Sequence, residues 1–200
     1  VRPHKLKGCN MIHIFTALYP EAKPLIQALS LKKRAAQTHY QQFLSEEGDL
    51  CLTITGVGPL QAAAVTASVL TDYDAGAQDQ LLSLGAAARL TTCPASMYHV
   101  NKITEAVTMR DFYPDMLLNT GLPEASLITG ARLLTTQDTW AQVDAQRGEK
   151  FRRGTTDDAA PGTLADRLAA PLLYDMEAAA IYQAASMFLG PHQMNFLRIV

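Results

Sequence analysis

The sequence predicts a single α/β domain with a mixed central β-sheet flanked by helices. Short buried apolar runs, "MIHIFT", "LCLTIT" and "DQLLSL", alternate with stretches of helical spacing that open on a proline or an acid. The segment "HYQQFLSEEGDLCLTITG" reads as a hairpin turning at Gly48-Asp49, and "SMYHVNKITEAVTM" carries the Val, Ile and Thr of a further strand. Parallel βα units interrupted by a hairpin give a mixed sheet.

The elements follow in order. Met11 to Thr16 is a short buried strand, and "PEAKPLIQALSL" places apolar residues at helical spacing behind Pro20, with Pro24 still in the first turn. Tyr40 to Ser45 and Leu50 to Thr55 form the hairpin arms. Gly56 and Gly58 break the second arm, Pro59 opens a helix, and alanines carry it to about Leu70. Gln80 to Leu84 is a buried strand ending at Gly85. "SLITGARLLTTQDTWAQ" reads as a strand with a helix starting at Asp138, and "DDAAPG" (157–162) as a polar loop. Leu172 to Tyr174 is a short strand, "MEAAAIYQAA" a helix, and "NFLRIV" a last strand. Residues 1–10 read as a leader or tail before a domain spanning 11–200, with Met11 as its natural start.

Composition narrows the function classes. The chain of 200 residues is 48% hydrophobic and 18% charged, which provides a real core. A formal net charge of -2 gives no electrostatic footprint for nucleic acid or an anionic membrane. The one basic cluster, Lys32-Lys33-Arg34, reads as a solvated helix end. Cys9, Cys51 and Cys93 are odd in number and form no C-x-x-C pair, which argues for a reducing, cytoplasmic setting without disulfides or structural zinc. No apolar run reaches the roughly 18 to 20 residues of a membrane span. The five histidines lack metal spacing, and H-E-x-x-H, G-x-S-x-G, G-x-G-x-x-G and P-loop signatures are all missing, so neither a metal nor a cofactor is expected.

The candidate site residues lie where strands end, the place at which open α/β sheets collect ligands. Glu177 stands at the mouth of the alanine helix. A first-turn acid favourable to the helix dipole explains it; so does a carboxylate accepting two hydrogen bonds from a vicinal diol, with Met176 offering a soft apolar surface beside it. Glu21 has the same two kinds of reading: a first-turn helix acid, or a general base that orients and deprotonates water. "TGVGP" (55–59) and "LGAAA" (84–88) are small-residue turns, explained by tight packing or by close approach of backbone N–H groups to a ligand. Trp140 is a core side chain or a stacking platform for a planar base. Arg110 sits in a loop with aromatics, where it pairs internally or reaches a ligand.

Taken in order, "TGVGPLQAAAVTA", "LLSLGAAARL", "DMEAAAIYQAA" and "FLRIV" resemble the nucleoside phosphorylase/nucleosidase superfamily, nearest its branch of methylthioadenosine/S-adenosylhomocysteine nucleosidases and futalosine hydrolases. The likeness runs from Met11 to Val200. It implies cleavage of an N-ribosidic bond in a small-molecule purine nucleoside, with no cofactor, by a homodimer whose partner loop closes the pocket. Glu177 would hold the ribose hydroxyls with Met176 against the sugar. Glu21 would activate water, and Arg198 would help hold that water and the acid. Trp140 would lie under the base, with the backbone at Ala141 facing its edge. Gly56, Gly85 and Ala86 would form the small-residue turns around the ligand.

Three departures accompany the resemblance. Ala86 stands where the methylthioadenosine branch often carries Ser or Thr. The segment "NKITEAVTMRDFYPDM" differs from that branch, which leaves the 5′-substituent open and makes Arg110 a candidate for meeting it. The family continues R-x-x-S-D after its last strand, and the aspartate, which protonates the purine, would fall two positions past Val200. Either the sequence is a fragment, truncated at its C-terminus, or the chain lacks that general acid, whose loss costs around 10² to 10⁴ in rate. A phosphorylase on the same fold, or a nucleoside-binding protein without catalysis, are the competing readings; the carboxylate of Glu21 opposes the first, because it would repel phosphate.

Overall fold

The computed structural model describes residues 10–35, 39–90, 95–115, 117–133 and 171–200. Trp140, Ala141, the helix expected from Asp138 and the 157–162 loop lie outside the described residues.

The fold is a mixed sheet with helices packed against it. The first strand, β1 (Ile12–Thr16), is buried from His13 onward and lies in parallel between β4 (Leu50–Ile54) and β5 (Gln80–Ala86), the place of a central strand. Helix α1 (Tyr19–Ala28) follows, with Pro20 in its first turn. The hairpin forms as the sequence predicts: β3 (Gln41–Leu44) runs antiparallel to β4. Lys32 and Lys33 are not a helix end. They make a two-residue edge strand, β2 (Lys32–Lys33), beside β3 with both side chains exposed, a placement that blunts the sheet edge.

Helix α2 (Pro59–Asp72) buries Ala62, Val65, Thr66, Val69 and Leu70, a stripe of helical period. Helix α3 (Ala178–Ala185) is buried on nearly all sides, and its alanines let it pack closely on α2. Between them and the sheet lies the main core, with Phe15, Leu81, Tyr98, Ile103, Leu127 and Phe196 fully buried.

Strand β5 is longer than its sequence suggested. Gly85 does not end it, because the neighbouring strand β11 (Met194–Ile199) continues the ladder, pairing Arg198 with Gly85 and Ile199 with Ala86. Beyond β11 come β7 (Met97–Glu105), β9 (Glu124–Thr129) and β10 (Leu172–Asp175), with β8 (Asp111–Phe112) on the side of β7. After Ala87 the chain leaves β5 and becomes β6 (Ala88–Arg89), which pairs antiparallel with β10. The sheet therefore curls until its last strand meets the continuation of β5. This closure brings the end of β10 beside the ends of β1, β4 and β5. No helix among the described residues is long and apolar enough to cross a membrane.

Candidate active site

A cleft of about 240 Å³ opens where these strand ends meet, lined by residues of the β1–α1 turn, the β5–β6 corner and the β10–α3 turn. It gathers Glu21, Ala86, Met176 and Glu177, four of the residues singled out from sequence.

Glu21 reaches its place because α1 starts directly after β1. Its Oε2 accepts hydrogen bonds from the N–H groups of Ala17 (3.0 Å) and Leu18 (2.9 Å), which satisfies free donors at the helix start. Its Oε1 accepts the N–H of Ala86 at 2.9 Å. Three N–H donors thus occupy three of the roughly four lone-pair positions of a carboxylate and leave one on Oε1. Gly85 lies under this oxygen: a Cβ there would sit 3.5 Å from it, an ordinary contact.

Glu177 is the N-cap residue of α3 and is half-buried. Its Oε1 accepts the N–H of Gly58 at 2.8 Å, across the cleft mouth from the β4–α2 turn. That turn depends on glycine. Gly56 and Gly58 have φ of +82° and +100°, and the space where a Gly56 Cβ would stand is taken by the Gln61 side chain. Burial raises the Glu177 carboxyl above its ordinary value. The Gly58 N–H opposes this, the charge of Asp175 adds to it, and Arg198 and the Met176 backbone oppose it. Met176 packs beside Tyr174, Ile128 and Leu172.

Arg198 is only 2% exposed and forms a buried ion pair with Asp175. Its Nε and Nη2 donate to Asp175 Oδ2 at 3.0 and 2.7 Å, Nη1 to the carbonyls of Ser83 and Leu197, and Nη2 also to Ser83 Oγ. These bonds use all five N–H donors of a guanidinium. In this arrangement Arg198 holds Asp175, which lines the cleft, and keeps no donor for the cleft's contents. Arg110 is exposed and stacks over Phe112 at 5.3 Å, outside the cleft lining.

Sequence reasoning assigned no role to Asp175 or to Thr129. Asp175 Oδ2 caps the first N–H of α3, at Ala178 (3.0 Å), and its Oδ1 accepts the Thr129 hydroxyl at 2.6 Å. The same hydroxyl oxygen accepts the next N–H, at Ala179 (3.1 Å). The carboxylate directly ahead of the helix was a visible capping signal; Thr129 had none, because only the pairing of β9 with β10 sets it opposite Asp175.

No family model and no curated protein matches the sequence. Solved structures do. A 5′-methylthioadenosine/S-adenosylhomocysteine nucleosidase from Neisseria meningitidis, in complex with methylthio-immucillin-A, superposes with a TM-score of 0.70 at 15% identity, over 96% of this chain and 85% of that one. The native futalosine hydrolase of Helicobacter pylori gives 0.69 at 11% identity, over 96% and 87%. An S-adenosylhomocysteine nucleosidase from Streptococcus pyogenes, in complex with 5-methylthiotubericidin, gives 0.65 at 16% identity, over 98% and 84%. At these identities the likeness is one of fold: the fold of this chain is the one shared by these two nucleosidases and this futalosine hydrolase.

Proposed function

We propose that the cleft hydrolyses the N-glycosidic bond of a purine nucleoside modified at its 5′ position, as in methylthioadenosine, S-adenosylhomocysteine or futalosine, and releases the free base. One observation carries the reading: Glu21 and Glu177 line the same cleft, whose described lining holds no Lys or Arg. A carboxylate pair without a cation suits a neutral nucleophile and a diol, and disfavours phosphate.

In this reading Glu177 accepts the 2′ and 3′ hydroxyls of the ribose, and Met176 lies against the sugar. Glu21 uses its remaining lone pair to orient a water and takes its proton as the water oxygen bonds to C1′. The C1′–N bond breaks through an oxocarbenium-like state, and the purine leaves with the electron pair and takes a proton at N7 from solvent. Backbone at Gly56, Gly85 and Ala86 shapes the walls. Arg198 supports the site from beneath, and Trp140 and Ala141 are the proposed base contacts. The reading includes a homodimer. Leu18, Tyr19, Val57 and Leu60 stand exposed at the turns beside the cleft, Leu60 at 88%, as a face for a second copy.

The test is base release from methylthioadenosine, S-adenosylhomocysteine, adenosine, inosine and futalosine, in phosphate-free buffer and again with phosphate. Release without phosphate supports hydrolysis, and the preferred substrate names the 5′ group. Release only with phosphate overturns the role given to Glu21.

A further inference from the structure

We propose that Thr129 and Asp175 are positioning residues for the sugar-binding carboxylate: together they clamp the first turn of α3 and so fix where Glu177 points. This rests on reading Glu177 as the ribose ligand.

Among the described residues, two side-chain acceptors hold the start of α3. Asp175 Oδ2 takes the Ala178 N–H and Thr129 Oγ1 takes the Ala179 N–H. The two acceptors are bonded to each other, hydroxyl to Oδ1, at 2.6 Å. Both side chains are buried, and both stand on paired strands. Thr129 and Asp175 are register partners at the ends of β9 and β10, and Asp175 is also gripped by Arg198 through two N–H groups. Glu177 lies between Asp175 and Ala178, as the cap residue whose backbone turns the strand into the helix. A shift of the first turn therefore moves the Glu177 carboxylate off the Gly58 N–H. A diol needs both carboxylate oxygens within hydrogen-bond range at once, so small displacements matter.

Charge reinforces the geometry. Asp175, Arg198 and Glu177 are the charged groups that act on this turn, and with Arg198 bonded to Asp175 the net charge left at the turn is that of Glu177. The Thr129 hydroxyl keeps Asp175 Oδ1 occupied, so that Asp175 does not compete for the ribose.

The experiment measures equilibrium binding of a carbon-linked adenine nucleoside, formycin A, against its 2′,3′-dideoxy form. Neither has an N-glycosidic bond to break, so turnover does not enter. The wild type should prefer the diol by about tenfold or more, as hydrogen bonds to a charged acceptor require. Thr129→Val, which keeps the shape and removes the hydroxyl, should lose most of that preference, and Thr129→Ser should retain it. Asp175→Asn, a second variant, should lose it as well. A role in stability alone would lower the melting temperature of Thr129→Val and leave the ratio between the two ligands untouched, and that result overturns the inference. Loss of the ratio in Thr129→Ser overturns it too, even where the other variants fail to fold. A wild type that binds both forms equally sinks the reading of Glu177 and this inference with it; a wild type that discriminates beside an equally discriminating Thr129→Val sinks this inference alone.

Discussion

Glu21 and Ala86 stand 65 residues apart in sequence and are joined by a 2.9 Å hydrogen bond from the Ala86 N–H to Glu21 Oε1. The bond ties the start of α1 to the end of β5, so the proposed base is held by the backbone it is meant to work beside. Replacing it by glutamine tests both roles. An amide has one acceptor oxygen, and its NH₂ must then face backbone N–H groups at Ala17 and Leu18 or at Ala86. Glu21→Gln should destabilise the fold by about 1–3 kcal/mol, as one unsatisfied donor costs, and should lower base release by around 10² to 10⁴ while nucleoside binding persists. Urea melts and single-turnover base release measure the two effects separately. Full activity in Glu21→Gln would remove the water-activation role.

The two glycines proposed around the cleft should behave differently. Gly56 has φ of +82° and a Cβ added there would sit 2.6 Å from Gln61, whereas a Cβ on Gly85 would meet Glu21 at an ordinary 3.5 Å. Gly56→Ala should cost about 1–3 kcal/mol through backbone strain and displacement of Gln61. Gly85→Ala should change stability by less than about 1 kcal/mol. A loss below about 1 kcal/mol in Gly56→Ala, measured by thermal or urea melts, would show that the β4–α2 turn tolerates a side chain and that its glycine is dispensable.

The strands and both carboxylates were legible because their signals are local. β1 is a short, mostly apolar run, the hairpin carries a Gly-Asp turn, and Glu21 and Glu177 each stand within a few residues of a strand end, where a helix begins. What stayed hidden depends on register across the sheet. The closing strand β6 has two residues, Ala88 and Arg89, too few to show any period. Lys32 and Lys33 look like a helix end until β3 is seen to need an edge partner. The occupation of every Arg198 donor follows from the pairing of β11 with β5 and from the end of β10 lying nearby, neither of which a sequence pattern encodes.

Nucleoside binding should weaken on acidification through Glu177. Burial raises this carboxyl above its ordinary value of 4.5. Ribose hydroxyls donate to the ionised form, so affinity falls as pH drops through the raised value, a window that opens above 4.5. Stability responds with the opposite sign: the folded chain holds the Glu177 proton more firmly than the unfolded chain, so this group's contribution declines as pH rises through that window. Glu177→Gln, which keeps an oxygen for the Gly58 N–H, should therefore be at least as stable as the wild type at neutral pH, bind ribonucleosides more weakly, and lose the acid-side fall in affinity. An identical acid-side fall in Glu177→Gln would assign the titration to another group.

His99 should make the fold acid-sensitive in a different window. It is a buried residue of β7, facing Leu197 of β11, with Nδ1 3.4 Å from the Thr120 hydroxyl. Burial lowers its pKa below the ordinary 6.5, opposed by Asn195 and by the charge of Glu124. The unfolded chain then binds a proton that the folded chain refuses, so stability is fully present above 6.5 and is lost as pH falls from there through the folded value. Glu177 and His99 can be separated by what is measured. Thermal melts between pH 7 and pH 5 should show His99→Gln losing less stability on acidification than the wild type, whereas Glu177→Gln should not reduce that loss. A wild-type slope that survives unchanged in His99→Gln would place the acid-sensitive group elsewhere in the sheet.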